Sequence, residues 1–191
     1  LLRRQPGEQG QPGNRGQEYV LAAAVYPQIA DYPAETDGAE AWDAWREDRR
    51  AHRSQPEGYA QGMESFFCRT AQQFLGEAPG ENRVYSPLNL YLALSMLAEI
   101  TDGQSRQQVL DLLGVENLEA LREKAGALWN AHYWDDGVTA SILANSLWLD
   151  QDISYKQPAV DALAQYYYAS VFQGEMGSEE YNQALRDWIN Q

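Results

Sequence analysis

The stretch Val84–Gly114, VYSPLNLYLALSMLAEITDGQSRQQVLDLLG, constrains the fold of this chain more than any other. From Leu88 to Ile100 the apolar residues Leu88, Leu90, Tyr91, Leu92, Leu94, Met96, Leu97 and Ile100 fall on nearly every side of a helix. Such a helix leaves little surface for water and belongs at the centre of something larger. Ser86 is placed to cap it, Pro87 sits at the first helical position where a missing N–H costs nothing, and Tyr85 is spaced to staple onto Leu90. Thr101-Asp102-Gly103 breaks the pattern. Ser105 and Gln108 then have the form of a capping box opening a second helix through Val109, Leu110, Leu112 and Leu113, with Gly114 as its left-handed terminator and Val115 folding back onto Leu110.

These residues resemble the serpin family. Val84-Tyr85-Ser86-Pro87-Leu88, then Ala93-Leu94-Ser95-Met96-Leu97, then Gly103-x-Ser105-x-x-Gln108 follow one another in the order and spacing of the serpin strand, buried helix and next helix start. The resemblance implies an α+β fold in which many helices pack on a large mixed β-sheet, of which this chain is the N-terminal part only. It divides the chain into an extension or linker over residues 1–58, partly disordered, and the N-terminal portion of a serpin domain over residues 59–191.

Leu1–Gln17 is rich in Gln, Gly, Pro and Arg, with Gly7, Gly10, Gly13 and Gly16 at three-residue intervals. Four triplets are too few for a collagen helix, so a flexible tether is expected. Tyr19–Tyr32 turns apolar and reads as a short helix up to Pro27; Trp42, Trp45 and Arg46–Arg50 suggest a second, amphipathic one. Nothing in this extension matches the serpin pattern. Phe66, Phe67, Thr70, Ala71, Phe74 and Leu75 keep helical spacing until Gly76–Gly80, and Asn82–Tyr85 reads as a strand fragment.

Beyond Gly114, Leu118, Leu121, Ala125 and Leu128 mark another amphipathic helix to about Ala131, and Asp135-Asp136-Gly137 a turn. Thr139–Leu149 is the best strand: both of its faces carry apolar groups, which places it mid-sheet. Its Ala144-Asn145-Ser146-Leu147-Trp148-Leu149 resembles a serpin sheet strand, and Asn145 is expected to be a hydrogen-bonding post within the sheet. Pro158 opens a helix with Val160, Leu163, Ala164 and Tyr167 inward; Ala169–Phe172 reads as a short edge strand, as it would in the family. Ser178 caps a last helix whose Tyr181, Leu185, Trp188 and Ile189 form one stripe, matching the serpin helix that lies across the main sheet.

The chain carries 14 basic and 28 acidic residues, a net charge of −14, and residues 1–60 hold 7 of the basic and 10 of the acidic groups. The acidity therefore sits on the later part, which repels phosphate backbones and anionic lipid, so nucleic acid is not an expected partner. No apolar run reaches the length of a membrane span. Cys68 is the single cysteine, which excludes an intrachain disulfide, and its place beside Phe67 and Ala71 reads as a buried structural thiol. Neither His52 nor His132 has the spacing of a catalytic base. There is no nucleophile elbow, phosphate loop, dinucleotide fingerprint or zinc-protease motif, so no catalytic residues, metal ligands or cofactor are assigned, and the chain is not read as an enzyme.

The resemblance implies protease inhibition by a conformational trap. A bait loop is cleaved and acylates a serine or cysteine protease, then inserts as an extra strand into the main sheet and distorts the captured enzyme. Ser86, Pro87, Leu88, Asn89 and Asn145 correspond to the shutter over which the sheet opens, with Asn89 in place of the usual second Ser. Tyr181, Leu185, Trp188 and Ile189 correspond to the helix covering the sheet. The bait loop and the family's C-terminal core are expected beyond Gln191, and the first residues, Leu1-Leu2-Arg3-Arg4, imply a trimmed start. The partners implied are a target protease and the remaining C-terminal part of the domain, in an extracellular or cell-surface setting. A non-inhibitory carrier on the same fold and a secreted helical binding module are the alternatives.

Overall fold

A computed structural model describes residues 17–76, 80 and 82–190. Of the tether expected over residues 1–17 and the break over residues 76–80, residues 1–16 and 77–79 lie outside the described residues, while Gln17 opens a 3-10 turn. The chain forms two compact units, one from residues 1–54 with 132–191 and the other from residues 55–131.

The 55–131 unit is helical. α2 (Glu64–Gly76), α3 (Pro87–Ile100), α4 (Gly103–Leu113) and most of α5 (Leu118–His132) enclose a core of Met63, Phe66, Tyr91, Ala98, Leu110, Leu113, Leu121 and Leu128. Tyr91 meets the edges of Phe66 and Phe67 at ring separations of 5.5 and 6.2 Å. The periodicity of α5 is as the sequence indicates, with Trp129 buried as well.

α3 begins where its residues indicate: the Ser86 hydroxyl accepts from the Asn89 N–H and Pro87 occupies the first turn. Tyr85, expected to staple onto Leu90, stacks on Phe74 at 5.0 Å. α3 is not enclosed on every side in this chain, since Tyr91, Leu92, Ser95 and Ala98 are buried while Leu97 and Ile100 are 40% and 41% exposed.

α4 starts one turn earlier than the capping-box reading. Asp102 is its cap, accepting from the Gly103 N–H at 2.7 Å, and Ser105 lies inside the helix. The negatively charged side chain facing the positive end of the helix outcompetes a neutral hydroxyl further in. Gly114 ends the helix in the left-handed region at φ 69, and the Val115 N–H returns to the Leu110 carbonyl at 3.1 Å.

Asn82–Tyr85 is not a strand, and Val84 is 96% exposed. Extended residues count as a strand only when another backbone pairs with them. Cys68 is exposed rather than buried. The inward face of α2 runs through Phe66, Phe67 and Thr70, and the next residue along the helix, about 100° further round, has already turned to solvent.

The other unit carries a three-stranded mixed sheet in the order β1 (Val20–Ala22), β5 (Ala169–Gly174), β4 (Asn145–Asp150). β4 and β5 are parallel, in register from Asn145 opposite Ala169 to Asp150 opposite Gly174. Parallel neighbours need a crossover, and α6 (Gln157–Tyr166) supplies it, burying Val160, Ala162 and Leu163. α7 (Glu179–Ile189) follows β5.

Three expectations change here. Thr139–Leu149 is two strands: Ala140–Ser141 (β3) pairs with Trp134–Asp135 (β2) in a hairpin, and β4 begins only at Asn145. The hairpin turn is held by Asp136, whose carboxylate accepts from the Val138 and Thr139 N–H groups at 3.2 and 2.8 Å. Next, β5 is the central strand and β4 the edge among the described residues, the reverse of the reading from apolar content. Finally, Val20–Ala22, expected in a helix, forms the third strand. The edge of β5 supplies hydrogen-bonding partners from a distant part of the chain, and that pairing overrides the local helix preference of an Ala-rich stretch.

α1 (Ala39–Arg53) packs through Trp45 into an aromatic cluster. Trp45 meets Tyr32, Trp42 and Trp134 edge-on at 5.2, 6.3 and 6.1 Å, and the Arg49 guanidinium lies over Trp45 and Trp134. This is the amphipathic helix that Trp42, Trp45 and Arg46–Arg50 indicate.

Candidate functional site

The residues with the most specific roles gather where α7 meets the sheet. Ser178 caps α7, its hydroxyl accepting from the Tyr181 N–H at 3.2 Å. That cap turns Tyr181 inward, where it is 2% exposed. The Tyr181 ring lies 5.1 Å from Trp148 of β4, and Trp148 stacks on Phe172 of β5 at 4.1 Å and 12°. The Tyr181 hydroxyl then donates to the Leu149 carbonyl at 2.9 Å. One side chain therefore holds α7 to both strands. Burial pushes its phenol up to about 12, because the charged form would lose its water.

Close approach is possible because β5 ends in Gly174. A methyl group there would lie 2.6 Å from the Tyr181 ring. Of the expected stripe, Tyr181 is buried, Leu185 and Trp188 are half-buried, and Ile189 is 65% exposed. The second buried contact is Ala184, one turn after Tyr181, so the inner face runs 181, 184, 185, 188 and passes Ile189 by. Ala184 and Gly174 were not singled out by sequence; a small residue opposite a buried ring is a packing fact with no signature of its own.

Asn145 stands at the other end of β4. Its amide donates to the Tyr167 carbonyl at 3.0 Å. Tyr167 precedes Tyr168, whose φ of 50 is left-handed and costs a non-glycine residue energy. Asn145 thus fixes the turn through which the chain leaves α6 and enters β5. Ser86, Pro87, Leu88 and Asn89 belong to the helical unit: Ser86 and Asn89 form the cap of α3, Pro87 its first turn, and Leu88 packs half-buried against that unit's core.

Among the described residues no group of His, Cys, Asp and Glu is arranged to hold a metal ion, and no helix is long and apolar enough to cross a membrane.

The family model described as serpin (serine protease inhibitor) matches residues 61–191, which is more than half of the chain. The chain belongs to the serpin family. Serpin-Z2A of Oryza sativa subsp. japonica is similar to it, 29% identical over 115 residues that make up 58% of this chain and 27% of the relative. This serpin chain therefore spans about a quarter of the relative it matches. α2 through α7, β4 and β5 all lie within the family match, whereas β1 and α1 precede it. The sheet corner held by Tyr181 is thus built from serpin residues, with an added strand from outside the matched region.

Proposed function

We propose that this chain is the N-terminal part of an inhibitory serpin that traps a serine protease by inserting its cleaved bait loop into the main sheet. The observation that carries the reading is the match to the serpin family over residues 61–191. It is supported by a sheet of parallel β4 and β5 against which α7 is fastened by the buried Tyr181, whose hydroxyl donates to the Leu149 carbonyl. A sheet that must accept a strand needs neighbours that move as a block. In this reading Ser86, Pro87, Leu88 and Asn89 are shutter residues, Asn145 likewise serves the opening of the sheet, and α7 shifts as the loop passes.

The loop supplies the chemistry. The protease serine attacks the bait carbonyl, the peptide bond breaks, and the acyl-enzyme ester persists because insertion disorders the site that would hydrolyse it. Strand pairing and apolar burial drive the insertion.

The test is a protein carrying this segment together with its bait loop, incubated with a panel of serine proteases and resolved by denaturing electrophoresis. The expected result is a covalent complex with at least one protease. Cleavage of the loop by every interacting protease with full turnover, and no denaturant-resistant species, overturns the reading.

A further inference from the structure

Residues 17–54 lie outside the family match, yet they add a strand to the sheet that belongs to it. β1 runs antiparallel to β5, Val20 opposite Phe172 and Ala22 opposite Val171. So short a ladder holds little alone. Its hold comes from the residues on either side. Before it, the Tyr19 ring meets Tyr181 edge-on at 5.0 Å, on the side chain that fastens α7. After it, the Ala24 N–H donates to the Ser170 hydroxyl at 3.2 Å and the Pro27 carbonyl accepts from the Tyr133 hydroxyl at 3.1 Å. Further on, the Ala30 N–H donates to Asp48 and the Tyr32 N–H to the Asp136 carbonyl, each at 2.8 Å. The segment is a strap, tied at both ends, laid along the β5 edge.

That edge needs covering. β5 is the most buried strand, with Ala169 and Val171 wholly enclosed, and an uncovered apolar strand is a template for another chain. β1 is a poor template in its turn: its register shifts between Val20 and Ala22, and an irregularity of this kind bends an edge away from further pairing.

We propose that residues 17–32 are an intramolecular strand donor that occupies the β5 edge and keeps a second copy of this chain from pairing there. Among the described residues β4 has no strand on its far side, so the strap covers the β5 edge alone. This goes beyond protease inhibition and stands whether or not the whole protein inhibits.

The test uses the full chain carrying Val20→Pro and Ala22→Pro, which removes the backbone donors at those two positions of β1, beside the parent and a Glu35→Pro control at an exposed turn position outside residues 17–32. Hydrogen exchange at Val171–Gln173 is expected to quicken roughly tenfold or more while α3 amides stay as protected as in the parent. Sedimentation velocity is expected to show concentration-dependent association above that of the parent and of the control. A variant whose α3 remains protected, but which associates no more than the parent or leaves β5 exchange unchanged, overturns the proposal.

A second variant decides the matter should the prolines prevent folding. Ala22→Cys with Val171→Cys, in a Cys68→Ser background, locks the strap to β5 by a disulfide. In mild denaturant the reduced form is expected to associate more than the oxidised form. Equal association of the two overturns the proposal.

Discussion

Gly174 and Tyr181 show how little freedom single positions keep. A Cβ at position 174 would sit 2.6, 2.7 and 3.0 Å from three atoms of the Tyr181 ring, including the one nearest the backbone, so the ring cannot swing clear. Gly174→Ala is expected to lose about 1–3 kcal/mol of stability, as overpacking does, and to break the Tyr181–Leu149 hydrogen bond. Urea unfolding followed by tryptophan fluorescence checks it, and an unchanged midpoint contradicts it. Glu99 offers a different case. Its buried carboxylate takes both arms of the Arg122 guanidinium, at 2.9 and 2.6 Å. Arg122→Met, which leaves the carboxylate buried without that fork, is expected to cost about 3–5 kcal/mol. Adding Glu99→Leu to it should recover most of that loss, since an apolar pair of similar size needs no desolvation. A double variant no better than the single one would show that the pair stabilises for another reason.

Elements are decided by what lies beside them. β4 has apolar groups on both faces, but every one of its residues is only half-buried, because a strand neighbours it on one side alone among the described residues. β5, with no more apolar content, is buried because β1 and β4 flank it and α6 packs on it. Helix ends follow local rules more closely. Gly114 and Gly76 both close helices, but only Gly114 has a positive φ, 69, while Gly76 has ordinary helical geometry and open space around its missing Cβ. Gly114→Ala is expected to destabilise by about 1 kcal/mol and Gly76→Ala to stabilise by about 0.5–1 kcal/mol. Opposite signs in a chemical denaturation series bear this out; equal signs refute it.

For the molecule as a whole, the buried tyrosines set the alkaline limit. The phenols of Tyr91, Tyr133 and Tyr181 are pushed up to about 12, by burial first of all, with Asp135 contributing at Tyr133, and with Asp150 contributing at Tyr181 against the lowering effect of its hydrogen bond to Leu149. An unfolded tyrosine ionises near about 10, so between about 10 and 12 the unfolded chain releases protons that the folded chain retains. Folded pKa values above the unfolded ones mean that this stabilisation is complete below about 10 and lost as the pH rises towards 12. Spectrophotometric titration is therefore expected to show a late group of tyrosines ionising together with loss of circular dichroism. Smooth ionisation of all tyrosines near pH 10 in a chain that stays folded would contradict it.

Most helix ends and the family were legible in the residues themselves, the start of α4 at Asp102 being an exception. Ser86-Pro87 opens α3, Gly114 ends α4 and Ser178 caps α7, because a cap depends on atoms within a few positions along the chain. The same locality made the serpin pattern readable before any coordinates. Which strand is central, where β4 begins, that Val20–Ala22 pairs at all, and that Gly174 makes room for Tyr181 depended on residues far away in sequence. A strand has no hydrogen-bonding partner of its own, so its place is determined by whichever backbone arrives beside it, and only the folded chain shows which one that is.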